Sequence, residues 1–144
     1  MARVIDVAKY ILEKKGSMST WKLQKLCYYS QAWTLAWDGK SLIDEEFQAW
    51  ANGPVCPVLF HRHKGEYSVG ASYFSDASSD NLTEEEKENI DIVLEHYGDK
   101  EAYWLREQTH SEAPWKEARQ GIPEGAYCDR VITNAAMSNY YGAL

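Results

Sequence analysis

The residues that most invite a metal-binding interpretation are two histidines, His61 and His63, in the run His61-Arg62-His63-Lys64. Side chains two positions apart lie about 200° apart around a helix, so the short helix predicted here does not bring these two onto one ion. The run therefore indicates a solvated basic patch rather than a metal site. We expect no bound metal and no other cofactor.

A second chemistry to consider is that of a cysteine hydrolase, in which a histidine activates a thiol. The candidates are Cys27, Cys56 and Cys128, with His96 or His110. No local signature surrounds any of these cysteines, and a free cysteine is usually a small buried hydrophobic residue. The chain also lacks GxxxxGK[ST], GxGxxG and HExxH motifs. We expect a protein that is not an enzyme, with the cysteine hydrolase as an open alternative.

The number and spacing of the cysteines bear on location. Three cysteines far apart, without CxxC spacing, argue against a disulfide framework or a structural zinc and suit a reducing cytosol. The chain has no run of about 18 apolar residues, so we expect no membrane span. Its first residues also lack the apolar region of a signal peptide. We expect a cytoplasmic protein without a membrane partner.

Composition predicts one globular domain spanning residues 1–144, with 44% hydrophobic and 26% charged residues. The net charge of −7 does not favour indiscriminate binding to nucleic acid. Residues 1–40 nevertheless carry seven Lys and Arg against three Asp and Glu. This asymmetry could steer a charged partner, although a solvated acidic surface is the favoured explanation.

The elements that must position these side chains are mostly helices. Apolar residues at helical spacing predict helices over about 2–15, 20–37, 83–97, 99–109 and 129–140, with a short one after Pro57. Residues 40–54 predict a helical turn or a strand closed by Asn52-Gly53-Pro54, and residues 71–75 a strand. The fold class is therefore mainly α, a compact multi-helix domain with at most a small β-hairpin.

The first two predicted helices, joined by a short turn containing Gly16, have the outline of a helix-turn-helix. Lys22, Gln24 and Lys25 stand where base-reading residues would lie. The aromatic residues of the second helix and the acidic net charge argue against this interpretation. A DNA-binding regulator, acting on its own promoter, remains the alternative function.

Four segments of the chain resemble the Panacea-domain family of phage-associated proteins, which includes the SocA-like antitoxins. The family carries a KLQKLLYY-like helix, an A-W-x-x-G-P-V turn and a late H-x-x-x-P-W element. The corresponding segments are STWKLQKLCYYSQAW at 19–33, GKSL at 39–42, FQAWANGPV at 47–55 and THSEAPW at 109–115. Cys27 stands where the family commonly has Leu, and the tail after Gln120 carries no family signature.

The resemblance implies a mainly helical fold and an antitoxin role. Such a protein binds and neutralises a cognate protein toxin encoded beside it. SocA-like members also act as adaptors that deliver the toxin to a Clp-type protease. A prophage protein without a toxin is the alternative within the resemblance.

Two groups of residues follow as candidates. Aromatic area and positive charge coincide outside the main apolar stripe of the second helix, which predicts a partner-binding set: Trp21, Lys22, Lys25, Tyr28 and Tyr29. The other motif residues are interpreted as scaffold: Leu23, Leu26, Trp33, Trp50, Gly53, Pro54, His110, Pro114 and Trp115. Trp37 is expected in the core with Trp33.

Overall fold

The computed structural model describes residues 1–144 and contains seven α-helices, which confirms the mainly helical fold class. They are α1 (Val4–Lys15), α2 (Thr20–Asp38), α3 (Pro57–His63), α4 (Glu84–Tyr97), α5 (Ala102–His110), α6 (Ala113–Ala118) and α7 (Asn134–Gly142). Two short 3-10 turns, Ala71–Phe74 and Ser79–Asn81, lie between α3 and α4. No helix combines the length and the apolarity that crossing a membrane requires.

Helix α2 forms the centre of the domain. It begins at a cap in which Ser19 Oγ accepts a hydrogen bond from the Lys22 backbone N–H (3.2 Å), and it ends before Gly39, whose φ is 67°. Helices α1, α4, α5 and α7 all pack against it. Thirteen of its nineteen residues are buried, so α2 is a core helix rather than a surface helix with one apolar stripe.

Two small antiparallel sheets complete the fold. Strand β2 (Phe47–Trp50) pairs with β3 (Gly53–Val55) in a hairpin and with β5 (Val131–Ile132) on its other edge. Strands β1 (Met18–Ser19) and β4 (Ser68–Val69) form a separate two-stranded ladder. The segment 40–54 therefore contains the hairpin, whereas the third strand and the second ladder were not predicted.

Two predicted boundaries are wrong for identifiable reasons. Residues 71–75 are not a strand, because the chain there forms the first 3-10 turn and the strand precedes it at Ser68–Val69. The last helix does not begin at residue 129, because Val131–Ile132 pairs with β2. The helix starts only after Thr133, whose Oγ1 accepts a hydrogen bond from the Ala136 backbone N–H (3.0 Å).

The core is one apolar cluster that surrounds α2. Leu23 and Leu26 are fully buried within it, and Trp33 packs against it half-buried. Trp37 was expected in the core but is 44% exposed. The chain from Trp37 to Lys40, where α2 ends, is open to solvent, so the helical periodicity continues past the point where the core stops.

Candidate partner-binding face

Gln24 joins α2 to the end of β3. Its Oε1 accepts a hydrogen bond from the Cys56 backbone N–H (2.9 Å), and its Nε2 donates to the Cys56 carbonyl (3.3 Å). The same amide lies 3.0 Å from Nε2 of His63. Since the amide nitrogen donates, this histidine nitrogen must accept, which requires a neutral imidazole.

The burial of His63 corrects the expectation of a solvated basic patch. Helix α3 turns His63 inward towards Gln24, and burial lowers the pKa of the imidazole. His61 and Arg62 keep contact with solvent. No group of three or more His, Cys, Asp or Glu side chains is placed to hold a metal ion.

Lys25 was predicted to face a partner from an exposed position, but only 1% of its surface is accessible. Its Nζ donates a hydrogen bond to the Pro54 carbonyl (3.3 Å). The side chain fits there because Gly53, with φ of 114°, places no Cβ in its way. Burial, and secondly the charge of Arg106, lower the pKa of the ammonium to about 7.

Tyr28 and Tyr29 are also buried, contrary to the prediction that they face a partner. The Tyr29 hydroxyl donates to Oε1 of Glu112 (2.8 Å), and the Tyr28 hydroxyl lies 3.2 Å from that of Tyr141. The Tyr29 ring stacks on Tyr97 with centroids 4.1 Å apart. The reason is that α4 and α7 both cover α2 at this level, leaving it no exposed stripe.

The late H-x-x-x-P-W element attaches to the β-hairpin. Trp115 Nε1 donates to the Trp50 carbonyl (2.9 Å), and the His110 ring stacks on the Trp115 ring with centroids 3.7 Å apart. Pro114 lies in the first turn of α6, where its missing N–H leaves no helical bond unmade. The residues interpreted as scaffold therefore contact one another across the motifs.

Arg119 is a scaffold residue that the sequence did not reveal. Its buried guanidinium donates to three carbonyls, those of Ala49 (2.8 Å), Pro123 (3.0 Å) and Ala126 (2.6 Å). An arginine at the end of a short helix carries no sequence signal for this role, because one acceptor lies in the distant hairpin and the other two lie in the irregular loop that follows the helix.

Trp21 is the member of the predicted partner-binding set that the fold leaves most accessible. It stands in the first turn of α2 and is 39% exposed. Three depressions, of about 250, 260 and 230 Å³, share its side chain as part of their walls. Each contains one strongly exposed tyrosine: Tyr103 (67%), Tyr67 (78%) and Tyr127 (81%), respectively.

We name this surface the Trp21 face and define it by Trp21, Asn52, Tyr67, Tyr103 and Tyr127. These five residues come from α2, the hairpin turn and three separate loops or helices, so no local pattern in the sequence groups them. Of them, only Trp21 was predicted as a partner contact. Lys22, also predicted, is half-buried beside Trp21 and lines none of the three depressions.

The depression that contains Tyr103 has two cationic side chains in its wall, and we name it the Lys25 pocket. Its walls are Trp21, Lys25, Asn52, Ala102, Tyr103 and Arg106. Lys25 Nζ lies 5.5 Å from the centroid of the Trp21 ring, and Arg106 Nε donates to Oδ1 of Asn52 (3.3 Å). The pocket thus brings two cationic side chains close to exposed aromatic rings.

A smaller apolar groove lies elsewhere on α2, against α4. It has a volume of about 140 Å³ and is lined by Trp33, Trp37, Ile92, Val93, His96 and Tyr97. Trp33 Nε1 donates to the Tyr97 hydroxyl at its base (3.2 Å). This groove offers a second exposed tryptophan, Trp37, without a nearby buried cation.

Several of the residues on which the two alternative functions depended are buried. Gln24 and Lys25 are buried, so they are not available to read base edges in a DNA groove. All three cysteines are buried, and burial raises the pKa of the Cys27 and Cys56 thiols, which disfavours the nucleophilic thiolate.

The fold and these contacts define a mainly helical domain whose motif residues are joined to one another inside the molecule. Residues 23–116 match the family described as Antitoxin SocA-like, Panacea domain, and the chain belongs to this family. No curated protein and no solved structure matches the chain.

Proposed function

We propose that this protein is the antitoxin of a toxin–antitoxin pair and that it binds and neutralises a protein toxin through the Trp21 face. The family match supports the antitoxin role. The observation that carries the choice of surface is the convergence of three depressions, each with an exposed tyrosine, on one tryptophan.

Aromatic side chains are effective anchors in protein interfaces. Trp and Tyr bring large contact areas while restricting few rotatable bonds, and they are enriched among the residues that dominate binding energy. Their polar atoms also allow them to stand in water before the partner arrives. A Trp with three surrounding Tyr residues is therefore better suited to a surface that binds a partner than to one that stays in contact with water.

The Trp21 face is a better candidate than the apolar groove at Trp37. Each of its three depressions is larger than the groove of about 140 Å³. The Lys25 pocket also adds polar groups that can fix the orientation of a partner, whereas the groove lining is mainly apolar. We therefore assign toxin binding to the Trp21 face, and the mechanism requires no catalytic residue.

The test is co-expression with the protein encoded beside this one, comparing Trp21→Ala with Trp37→Ala. The two tryptophans lie on the same helix with similar exposure, so Trp37→Ala is a matched control. We expect Trp21→Ala to lose growth rescue and to weaken toxin affinity by about 30-fold or more, since loss of an interface anchor costs about 2 kcal/mol or more.

The proposal fails if the neighbouring gene product is harmless when expressed alone. It fails equally if rescue survives Trp21→Ala and is lost in Trp37→Ala, which would place toxin binding at the apolar groove. Circular dichroism and thermal unfolding of both variants check that each still folds.

The mode of neutralisation is a separate question. We propose that the Trp21 face masks the toxin directly. In that case the toxin persists in the cell while growth is rescued. If rescue instead requires a Clp-type protease and the toxin disappears only when that protease is present, the protein is a proteolytic adaptor.

A further inference from the structure

Lys25 is a buried amine whose hydrogen-bonding capacity is mostly unused, and a carboxylate beside it would favour the protonated form that burial alone disfavours. An ammonium carries three N–H donors, and the single acceptor in the structure is the Pro54 carbonyl. No carboxylate lies within ion-pair distance of it, although the chain holds 22 Asp and Glu residues. Buried lysines are usually paired, so this one has a place for an anion.

Lys25, although only 1% exposed, lines the Lys25 pocket, the depression of about 250 Å³ beside Trp21. Arg106 stands on the same wall and is held in place by Glu107 (2.7 Å) and Asn52 (3.3 Å). A group entering the pocket therefore meets the unpaired amine of Lys25 and the guanidinium of Arg106, beside the rings of Trp21 and Tyr103.

We propose that the Lys25 pocket binds an Asp or Glu side chain of the protein partner, with Lys25 as the cation that pairs with the carboxylate. This inference rests on the proposed function, because it names the chemistry that the toxin presents to the Trp21 face. Asn52 and Arg106 lie at the pocket wall as further donors, and Trp21 and Tyr103 contact the apolar part of the incoming residue.

The charge of the pocket favours a carboxylate over a phosphate group. Phosphate sites use several free cationic or backbone donors. Here Arg106 is already paired with Glu107, whose own charge opposes a dianion. One unpaired cation matches one negative charge.

The position of the pocket favours a side chain over a free chain terminus. The other two depressions of the Trp21 face also have Trp21 in their walls. A segment lying across the tryptophan can extend into them on either side of the acidic residue, which a terminal carboxylate does not require.

Lys25→Met is the variant that isolates the charge. Methionine keeps an unbranched apolar stem in the space beside Gly53, and replacing a buried charge with an apolar residue is usually tolerated by the fold. A loss of binding in this variant therefore reports the ammonium and not a collapsed pocket, provided that thermal unfolding remains cooperative.

The experiment uses the full chain with three probes: N-acetyl-glutamate methylamide, the neutral N-acetyl-glutamine methylamide and inorganic phosphate. Binding is followed by amide chemical shifts of Asn52 and Tyr103 in wild type and Lys25→Met. We expect saturable shifts with the glutamate probe, and at least tenfold weaker binding for the glutamine probe and for the variant. Equal responses to both amides, no response, or a response to phosphate alone would overturn the inference.

A second measurement separates this inference from the proposed function. If Trp21→Ala loses toxin binding while Lys25→Met binds the toxin as tightly as wild type, the pocket inference is wrong and the function stands. If the glutamate probe binds but no neighbouring toxin is neutralised, the pocket stands and the proposed function is wrong. A tenfold or greater loss of toxin affinity in Lys25→Met supports both.

Discussion

The side chain of Lys25 occupies the space that a Cβ atom on Gly53 would need. Cε of the lysine is the atom nearest to that Cβ position, and Thr109 Oγ1 lies 3.2 Å from the same position. The backbone at Gly53 also has φ of 114°, which L side chains rarely adopt. Two family motifs, the lysine of the helix and the Gly-Pro turn, are therefore coupled by one packing contact.

Gly53→Ala is expected to lower the free energy of unfolding by about 2–4 kcal/mol, combining positive-φ strain with overpacking against Lys25. Gly121→Ala is the matched control, because Gly121 has φ of 87° but no atom within 4 Å of the added Cβ. The control should lose about 1 kcal/mol, from backbone strain alone. Urea denaturation of both variants measures the difference.

The steric part of this effect is tested by shortening the lysine. In a double-mutant cycle, Lys25→Ala should recover part of the stability that Gly53→Ala removes, because it vacates the contested space. If the two losses add, the contact does not couple the motifs.

The helices were largely predictable because their ends carry local signals. The expected range 20–37 for α2 differs from Thr20–Asp38 by one residue, since the Ser19 cap and Gly39 act within one turn. Thr83 likewise caps α4, with its Oγ1 accepting from the Glu86 backbone N–H (3.1 Å). Such contacts depend only on near neighbours in the sequence.

The candidate site was predictable only at Trp21, for a physical reason. Helical periodicity identifies one apolar stripe, but α2 is covered on several sides by other helices. Lys25 and the hydroxyls of Tyr28 and Tyr29 therefore lie in the interior. There they form hydrogen bonds with Pro54, Tyr141 and Glu112, respectively. Because these partners are distant in sequence, no local pattern identifies them.

The stability of the protein should rise with pH just above neutrality because of Lys25. Its pKa is about 7 in the fold against an ordinary value of 10.5. The unfolded chain therefore binds more protons than the folded chain between these values, and the free energy of unfolding increases with pH. The slope from one such proton approaches about 1 kcal/mol per pH unit.

The measurement is urea denaturation between pH 7 and 8.5, comparing wild type with Lys25→Met. The tyrosines of the unfolded chain ionise above this interval, and its cysteine thiols, which are about half ionised at the upper end, contribute equally to both proteins. The variant should lack the rise, since methionine does not titrate. An equal slope in both proteins would show that Lys25 keeps its ordinary pKa and is better solvated than its burial indicates.

Glu112 should produce the opposite pH dependence at lower pH. Burial raises its pKa above the ordinary value of 4.5, although hydrogen bonds from Tyr141 (2.7 Å), Tyr29 (2.8 Å) and Gln108 (3.2 Å) oppose this shift. Between 4.5 and the raised pKa the folded chain binds more protons than the unfolded chain. The free energy of unfolding therefore falls as pH rises through this interval. Above the interval the contribution of Glu112 no longer changes with pH.

Glu112→Gln removes the titration while its amide oxygen can still accept from both tyrosines. We expect the variant to be about 1 kcal/mol less stable than wild type at pH 4, because its NH₂ now faces the Gln108 donor. That deficit should shrink towards pH 7, as only wild type accumulates the buried charge.

Tyr29→Phe removes a hydrogen bond that favours the carboxylate, so the decline in its stability should continue to higher pH than in wild type. A deficit in Glu112→Gln that stays constant from pH 4 to 7 would mean that Glu112 ionises in the fold as readily as in the unfolded chain, with the hydrogen bonds from the two tyrosines fully offsetting its burial.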